Sequence, residues 1–249
     1  MSAVLRTRGL CKSFGALTVA DNIDFALEPG ARHALIGPNG AGKTTFVNLL
    51  TGRLAPSSGT IELGGADITH ATQGERVRRG LGRTFQINTL FKNIPVVDNV
   101  ALAIAERVGV ATRVFGAAAR QRAVVEEAMA LLDSLALGPD ARTHVAGLPY
   151  GKQRLVEIAI ALGLKPSVLL LDEPAAGVPS VESHRIFEAL EALPAQIAIL
   201  IIEHDMDLVF RYAERITVLS QGAVLVEGTP AQIRADQRVR DVYLGEGHV

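Results

Sequence analysis

The sequence has no tryptophan and only 4% aromatic residues, so a ring placed in a loop, such as Phe14, draws notice. Its 25 Lys and Arg nearly balance its 26 Asp and Glu, which leaves no basic field of the kind that tracks nucleic-acid phosphates. Cys11 is the one cysteine, so no disulfide forms within the chain and a reducing compartment suits it. Cys11 itself is expected to pack as a small apolar side chain. No apolar run is long enough to span a bilayer: the longest, Ala195 to Ile202, is interrupted by Gln196. Arg6 and Arg8 fall where a secretory leader needs apolar residues, so no leader is expected. Yet 48% of the residues are hydrophobic and mean hydropathy is positive, which points to buried parallel strands or an apolar docking surface.

Against these absences stands the run Gly37-Pro38-Asn39-Gly40-Ala41-Gly42-Lys43-Thr44-Thr45, which fits the phosphate-loop pattern G-x-x-x-x-G-K-[ST] at each position. Ala31 to Ile36 before it reads as a short apolar strand; Phe46, Val47, Leu49 and Leu50 after it recur at helical spacing. Glycines let successive backbone N–H groups turn inward on an anion, and the helix dipole adds partial positive charge at the same place. Lys43 is expected at the outer phosphates of a nucleoside triphosphate, and the Thr44 hydroxyl on Mg²⁺.

At 249 residues the chain can form one large domain or one domain with a subdomain. Short strands and turns open it: Val4 to Arg8, Ile23 to Leu27, a hairpin over Thr60–Leu63 and Ala66–Ile68, and Leu81 to Phe85. From Val96 to Leu137 the pattern turns helical and Ala-rich, with Val124, Ala128, Leu131 and Leu135 on one face. Another helix begins near Gly151 and carries Leu155, Ile158, Ala159 and Leu162. Strand-like runs return at Val168–Leu171, Ile197–Ile202 and Ile216–Leu219, separated by helical stretches such as Val181–Leu193. This alternation implies an α/β fold with a parallel sheet covered on both faces. The helical middle, with boundaries near residues 87 and 163, reads as an insertion into a core of residues 1–86 and 164–249.

Other candidates cluster at strand ends. Val168 to Leu171 runs into Asp172 and Glu173, adjacent carboxylates that point in different directions and can take different jobs. Asp172 suits the Mg²⁺ water shell, and Glu173 suits a general base that polarises an attacking water. His204 follows an apolar strand, a platform for sensing a γ-phosphate, although a lone histidine there is more often structural. Gln86 offers a neutral amide to Mg²⁺ or to the attacking water, with a turn or capping role as the plainer reading. Phe14 is either a base-stacking ring or a core residue.

The order of the phosphate loop, Gln86, Leu148-Pro149-Tyr150-Gly151-Lys152-Gln153, Val168–Pro174 and His204 resembles that of an ABC-transporter ATPase subunit, over about Val4 to Glu246. In detail, Gly82–Gln86, Tyr150-Gly151, Ile202–Met206 and Val242–Glu246 look like the branched-chain (hydrophobic) amino acid uptake group. The resemblance implies a P-loop NTPase (RecA-like) core with an antiparallel β subdomain and an inserted α-helical subdomain. It implies ATP and Mg²⁺ as ligands, with Phe14 stacking on adenine, Gln86 coupling the site to a membrane partner, Glu173 as base and His204 as the γ-phosphate switch. Leu148 to Gln153 would be the signature that a second ATPase subunit, identical or paralogous, presents to ATP in trans. Transmembrane permease subunits and an extracytoplasmic solute-binding protein complete such an importer, which places the chain peripherally on the cytoplasmic membrane face and gives it no nucleic-acid partner.

Two positions depart from the family pattern. Pro149 stands where serine is usual, and Pro179 where the loop after Glu173 usually has Asn or Asp; proline at 149 suits a first helical turn while removing a hydroxyl and an N–H. Both changes would weaken what this chain offers a partner's ATP, not its own loop. Lys152 replaces a common glutamine and reads as a solvated helix residue. Urea, amides or small aromatic acids stay open as imported solutes. A nucleotide-gated ATPase acting on DNA or in assembly, and a small-molecule kinase, are the competing classes.

Overall fold

The computed structural model describes residues 3–84, 90–109 and 117–244. In chain order the strands and helices are β1 (Leu5–Phe14), β2 (Leu17–Leu27), β3 (Arg32–Ile36), α1 (Lys43–Leu50), β4 (Ser58–Leu63), β5 (Ala66–Asp67), α2 (Gln73–Arg78), β6 (Leu81–Arg83), α3 (Val96–Arg107), α4 (Ala117–Ser134), α5 (Tyr150–Gly163), β7 (Val168–Asp172), α6 (Ser180–Glu191), β8 (Ala198–Ile202), α7 (Met206–Tyr212), β9 (Arg215–Ser220), β10 (Ala223–Gly228), α8 (Pro230–Ala235) and α9 (Gln237–Leu244). Two compact units result: residues 1–81, 167–173 and 195–249, and residues 82–166 with 174–194.

The first unit holds an antiparallel sheet in the order β2-β1-β4-β5 and a second sheet running β10-β9-β3-β8-β7. In the second sheet β9, β3, β8 and β7 are mutually parallel, and β10 closes one side antiparallel to β9. β3, β7 and β8 are almost wholly buried, as expected of parallel strands covered on both faces. Their alternation sorts side chains by face. Leu35, Leu170, Leu200 and Leu219 join Phe46, Leu49 and the antiparallel sheet in one cluster, while Ala34, Ile36, Ile216 and Val218 join Val209, Ile233 and Val239 in another.

Buried polar groups tie these layers together. Arg76, 1% exposed, donates to the carbonyls of Leu49, Leu50, Thr69 and Ala71. It thereby caps the C-terminal end of α1 with a cation, where the helix dipole favours one. His33 lies against the edge of Phe25 with ring centroids 5.1 Å apart, and its Nε2 is 2.8 Å from the Thr217 hydroxyl, which donates to Glu227. Since that hydroxyl proton goes to Glu227, Nε2 is the donor and the ring is held as its neutral Nε2–H tautomer.

In the second unit α3 packs on α4 and α5, and Val96, Val100, Ile104, Val124, Ala128, Leu132, Ile158 and Leu162 of these helices are buried. Leu132 takes the buried place on α4 expected of Leu131, which is half-buried. Segment 174–194, read from sequence as part of the core, groups with the helical unit because α6 packs on α5. Asn99 is buried and bonds both the N–H and the carbonyl of Phe91, which fixes the chain entering α3. Cys11 is half-buried and hydrogen-bonded: its Sγ donates to Gly9 O and accepts from Asn22 N–H, so it is more than an apolar filler.

Burial lowers the His33 pKa from 6.5 to about 4, with Arg215 acting in the same direction against the opposing pull of Glu227. The folded state therefore binds fewer protons than the unfolded one between these values. The contribution is complete above the unfolded pKa and is lost as pH falls from 6.5 toward about 4. Denaturant titrations of a His33→Gln protein are expected to show a smaller stability loss on acidification through this window than the parent; equal losses would contradict the assignment.

Candidate functional site

The parallel register brings three strand ends to one edge. Leu35 of β3 pairs with Ile202 of β8, and Ile202 pairs with Asp172 of β7. The residues that follow, from Gly37, from Glu203 and from Glu173, therefore leave the sheet side by side at its carboxyl edge, where open α/β sheets bind ligands.

The loop from Gly37 to Thr45 connects β3 to α1. Gly37 and Gly42 have φ of 153° and 100°, and a Cβ at either would strike backbone: the Leu219 carbonyl at Gly37 and the Val19 carbonyl at Gly42. Asn39, Gly40 and Thr44 are exposed and Ala41 is buried, its N–H bonded to Pro38 O and its carbonyl to Gly222 N–H. The Lys43 ammonium folds over the loop, donating to Gly37 O at 2.5 Å and Pro38 O at 2.9 Å. Phe46 N–H to Gly42 O, 2.8 Å, is the opening bond of the α1 ladder, so the first-turn N–H groups point out of the helix end toward the loop's concavity.

Asp172 ends β7 and is 6% exposed. Glu173 adopts φ 50°, an uncommon left-handed conformation for a non-glycine residue, and its N–H bonds Ile202 O at 2.9 Å. This bend turns the Glu173 carboxylate to 3.8 Å from His204 Nδ1. Glu203 is 3.9 Å from the same nitrogen; its side chain is 1% exposed and accepts the His204 backbone N–H. Asp205 then caps α7 by accepting from the N–H groups of Asp207 and Leu208. An exposed imidazole thus has a half-buried and a buried carboxylate within 4 Å at the sheet edge.

Phe14 is at the tip of the β1–β2 hairpin, 52% exposed, with the Lys12 ammonium 4.9 Å from its ring centre. It is not a core residue. Gln86 lies outside the described residues.

In the second unit, Leu148 to Gln153 starts α5. Leu148 is buried; Pro149 is the N-cap, with φ −54° and ψ 150°, and supplies no capping side chain. It thus precedes the first helical turn instead of occupying it, and what it removes from the helix is a side-chain acceptor. Pro179 does the same at the start of α6. Gly151 packs so closely on α6 that any side chain would strike the Glu182 carboxylate. Lys152 pairs with Asp140 at 2.7 Å, so it is not merely solvated. Gln153 returns its amide to Leu148 O.

Several contributors were not singled out from the sequence. Arg154 donates to the Tyr150 hydroxyl at 2.6 Å and pairs with Glu157 at 2.8 Å, deep in the helical unit. Burial raises the Glu157 pKa against the opposing effect of Arg154. Their i, i+3 spacing on a buried helix face was the available signal. Glu203 carried none, because its burial comes from the sheet around it.

The donors present fit a nucleotide and a hard divalent ion. The glycine loop leaves open space at Gly40, Lys43 is a cation held at the loop, and Thr44 and Asp172 supply oxygen ligands of the kind Mg²⁺ takes.

Comparison with known proteins agrees with this architecture. The family model described as ABC transporter matches residues 20–176, and one described as Branched-chain amino acid ATP-binding cassette transporter matches residues 223–249. The high-affinity branched-chain amino acid transport ATP-binding protein LivG of Escherichia coli is 37% identical over 98% of each chain. Its counterpart BraF of Pseudomonas aeruginosa is 36% identical, again over 98% of each. A crystal structure of the ADP conformation of an ATP-binding cassette of an ABC transporter superposes with a TM-score of 0.85 at 30% identity, covering 98% of this chain and 100% of that one. A nucleotide-free ATP-binding cassette gives a TM-score of 0.83 at 30% identity, covering 97% and 98%. The chain belongs to the ABC transporter family as one of its ATP-binding cassettes.

Proposed function

We propose that this chain is the ATP-hydrolysing subunit of an importer for branched-chain or other hydrophobic amino acids. The full-length likeness to branched-chain amino acid transport proteins supports the solute class. The observation that carries the chemistry is the approach of Glu173 to His204 at the sheet edge onto which the Gly37–Thr45 loop opens. In this reading residues 1–249 form one ABC ATPase domain, working on the cytoplasmic membrane face with permease subunits, a second ATPase subunit and a solute-binding protein. No helix among the described residues is long and apolar enough to cross a membrane, so the path for solute falls to the permeases.

The loop N–H groups and Lys43 hold the β- and γ-phosphates, and Phe14 stacks on the adenine from its hairpin tip. Thr44, Gln86 and Asp172 (the last through water) would hold Mg²⁺, which would neutralise charge on the phosphate oxygens. Glu173 accepts the proton of a water attacking the γ-phosphorus in line, while the bond to the β–γ bridging oxygen breaks and ADP leaves. His204, exposed beside Glu173, holds the γ-phosphate oxygens and keeps the base oriented. Leu148 to Gln153 serves the second subunit's ATP: the α5 N-terminus, with no capping side chain at Pro149, directs backbone N–H groups at an anion.

Glu173→Gln is expected to lower ATP turnover by about 100-fold or more while ATP binding persists. Turnover within a few-fold of the parent would remove Glu173 from the role of base. Pro149→Ser, which restores a hydroxyl at the signature, is expected to tighten ATP in the assembled transporter by about fivefold; an unchanged affinity and rate would show that Pro149 costs the partner's site nothing.

A further inference from the structure

A cavity of about 480 Å³ in the helical unit borders the signature segment at Pro149, Gly151 and Lys152 but takes nothing from the phosphate loop or the Glu173–His204 edge. It lies between the end of α4, the first turns of α5 and one face of α6. Leu135, Leu137 and Ile186, each at most 2% exposed, give it an apolar floor. Its charges come chiefly from α6, in Glu182, Arg185 and Glu188, with Lys152 on α5. Lys152 is committed to Asp140, but the other three make no ion pair among the described residues. Glu182 and Arg185 are three residues apart, so their side chains rise from neighbouring positions on one helix face. The cavity thus combines an apolar floor with a rim of two carboxylates and one guanidinium, Glu182 half-buried and Arg185 and Glu188 exposed.

We propose that this cavity binds a free α-amino acid with an aliphatic side chain. Its ammonium sits on Glu182, its carboxylate on Arg185, and its side chain on Leu137 and Ile186. A zwitterion with both charges on one carbon satisfies both members of the pair. An amine alone leaves Arg185 unanswered, and a carboxylate alone meets two glutamates. The volume falls within the range of small-molecule sites. Because the Glu182 carboxylate fills the space that a Cβ at Gly151 would take, a ligand held by Glu182 lies beside the first turn of α5.

Titration calorimetry of the nucleotide-free chain tests this with L-leucine, with 4-methylpentanoate, which lacks the ammonium, and with 3-methylbutylamine, which lacks the carboxylate. L-leucine is expected to bind, and each single-charge analogue to bind at least about tenfold more weakly, the effect of leaving one charge unanswered. Arg185→Gln, and Ala189→Leu, which fills the cavity, are expected to abolish L-leucine binding while Mg-ATP still binds, showing the fold intact. No binding of L-leucine, equal affinity for an analogue, or unchanged binding in both variants would overturn the proposal. The titration contains no nucleotide, so its result is independent of the ATPase reading: an inactive ATPase that still binds L-leucine would sink that reading and leave this one standing.

Discussion

The parallel alignment of β3, β8 and β7 is the constraint on which the site depends. Backbone pairing of Leu35 with Ile202 and of Ile202 with Asp172 fixes where three loops begin. Functional groups far apart in sequence acquire their spacing from main-chain hydrogen bonds that no side-chain substitution in the site removes. Burial of all three strands shields those main-chain bonds from water, which has no access to compete for them.

Around that scaffold, buried polar groups do the fixing. Arg76 ties the far end of α1 to the neighbouring loops, so the helix that begins at Lys43 is anchored at both ends. Glu203 holds the His204 backbone, and Asp205 caps the helix that follows. In the helical unit Arg154 links Tyr150 to Glu157 and so sets the first turn of α5. These groups act on backbone and on one another, fixing the ends of the helices and loops that carry the exposed side chains.

The sequence was most legible where local chemistry suffices. The phosphate loop, and the strands at 168–172, 198–202 and 215–220, stand out because buried parallel strands are continuous apolar runs. The family and fold expected from the order of motifs are those found. β1 was expected only from Val4 to Arg8 and runs to Phe14, since its register against β2 shifts three times after Thr7 and the alternation is lost. The allegiance of segment 174–194 was hidden because a helix between two strands reads the same whichever unit it covers. The approach of Glu173 to His204 was beyond reach too, for it depends on a pairing of β7 with β8 and on one left-handed residue. Pro149 was legible as a departure, but not as an N-cap.

Hydrogen-exchange mass spectrometry with and without Mg-ADP tests most directly whether this sheet edge is the nucleotide site. Slower exchange is expected in the 37–45 loop and, by way of the shared strand ends, at 172–173 and 203–204 together. Protection of the loop with no change at either other strand end, or protection located elsewhere, would contradict a site assembled by the β3-β8-β7 register.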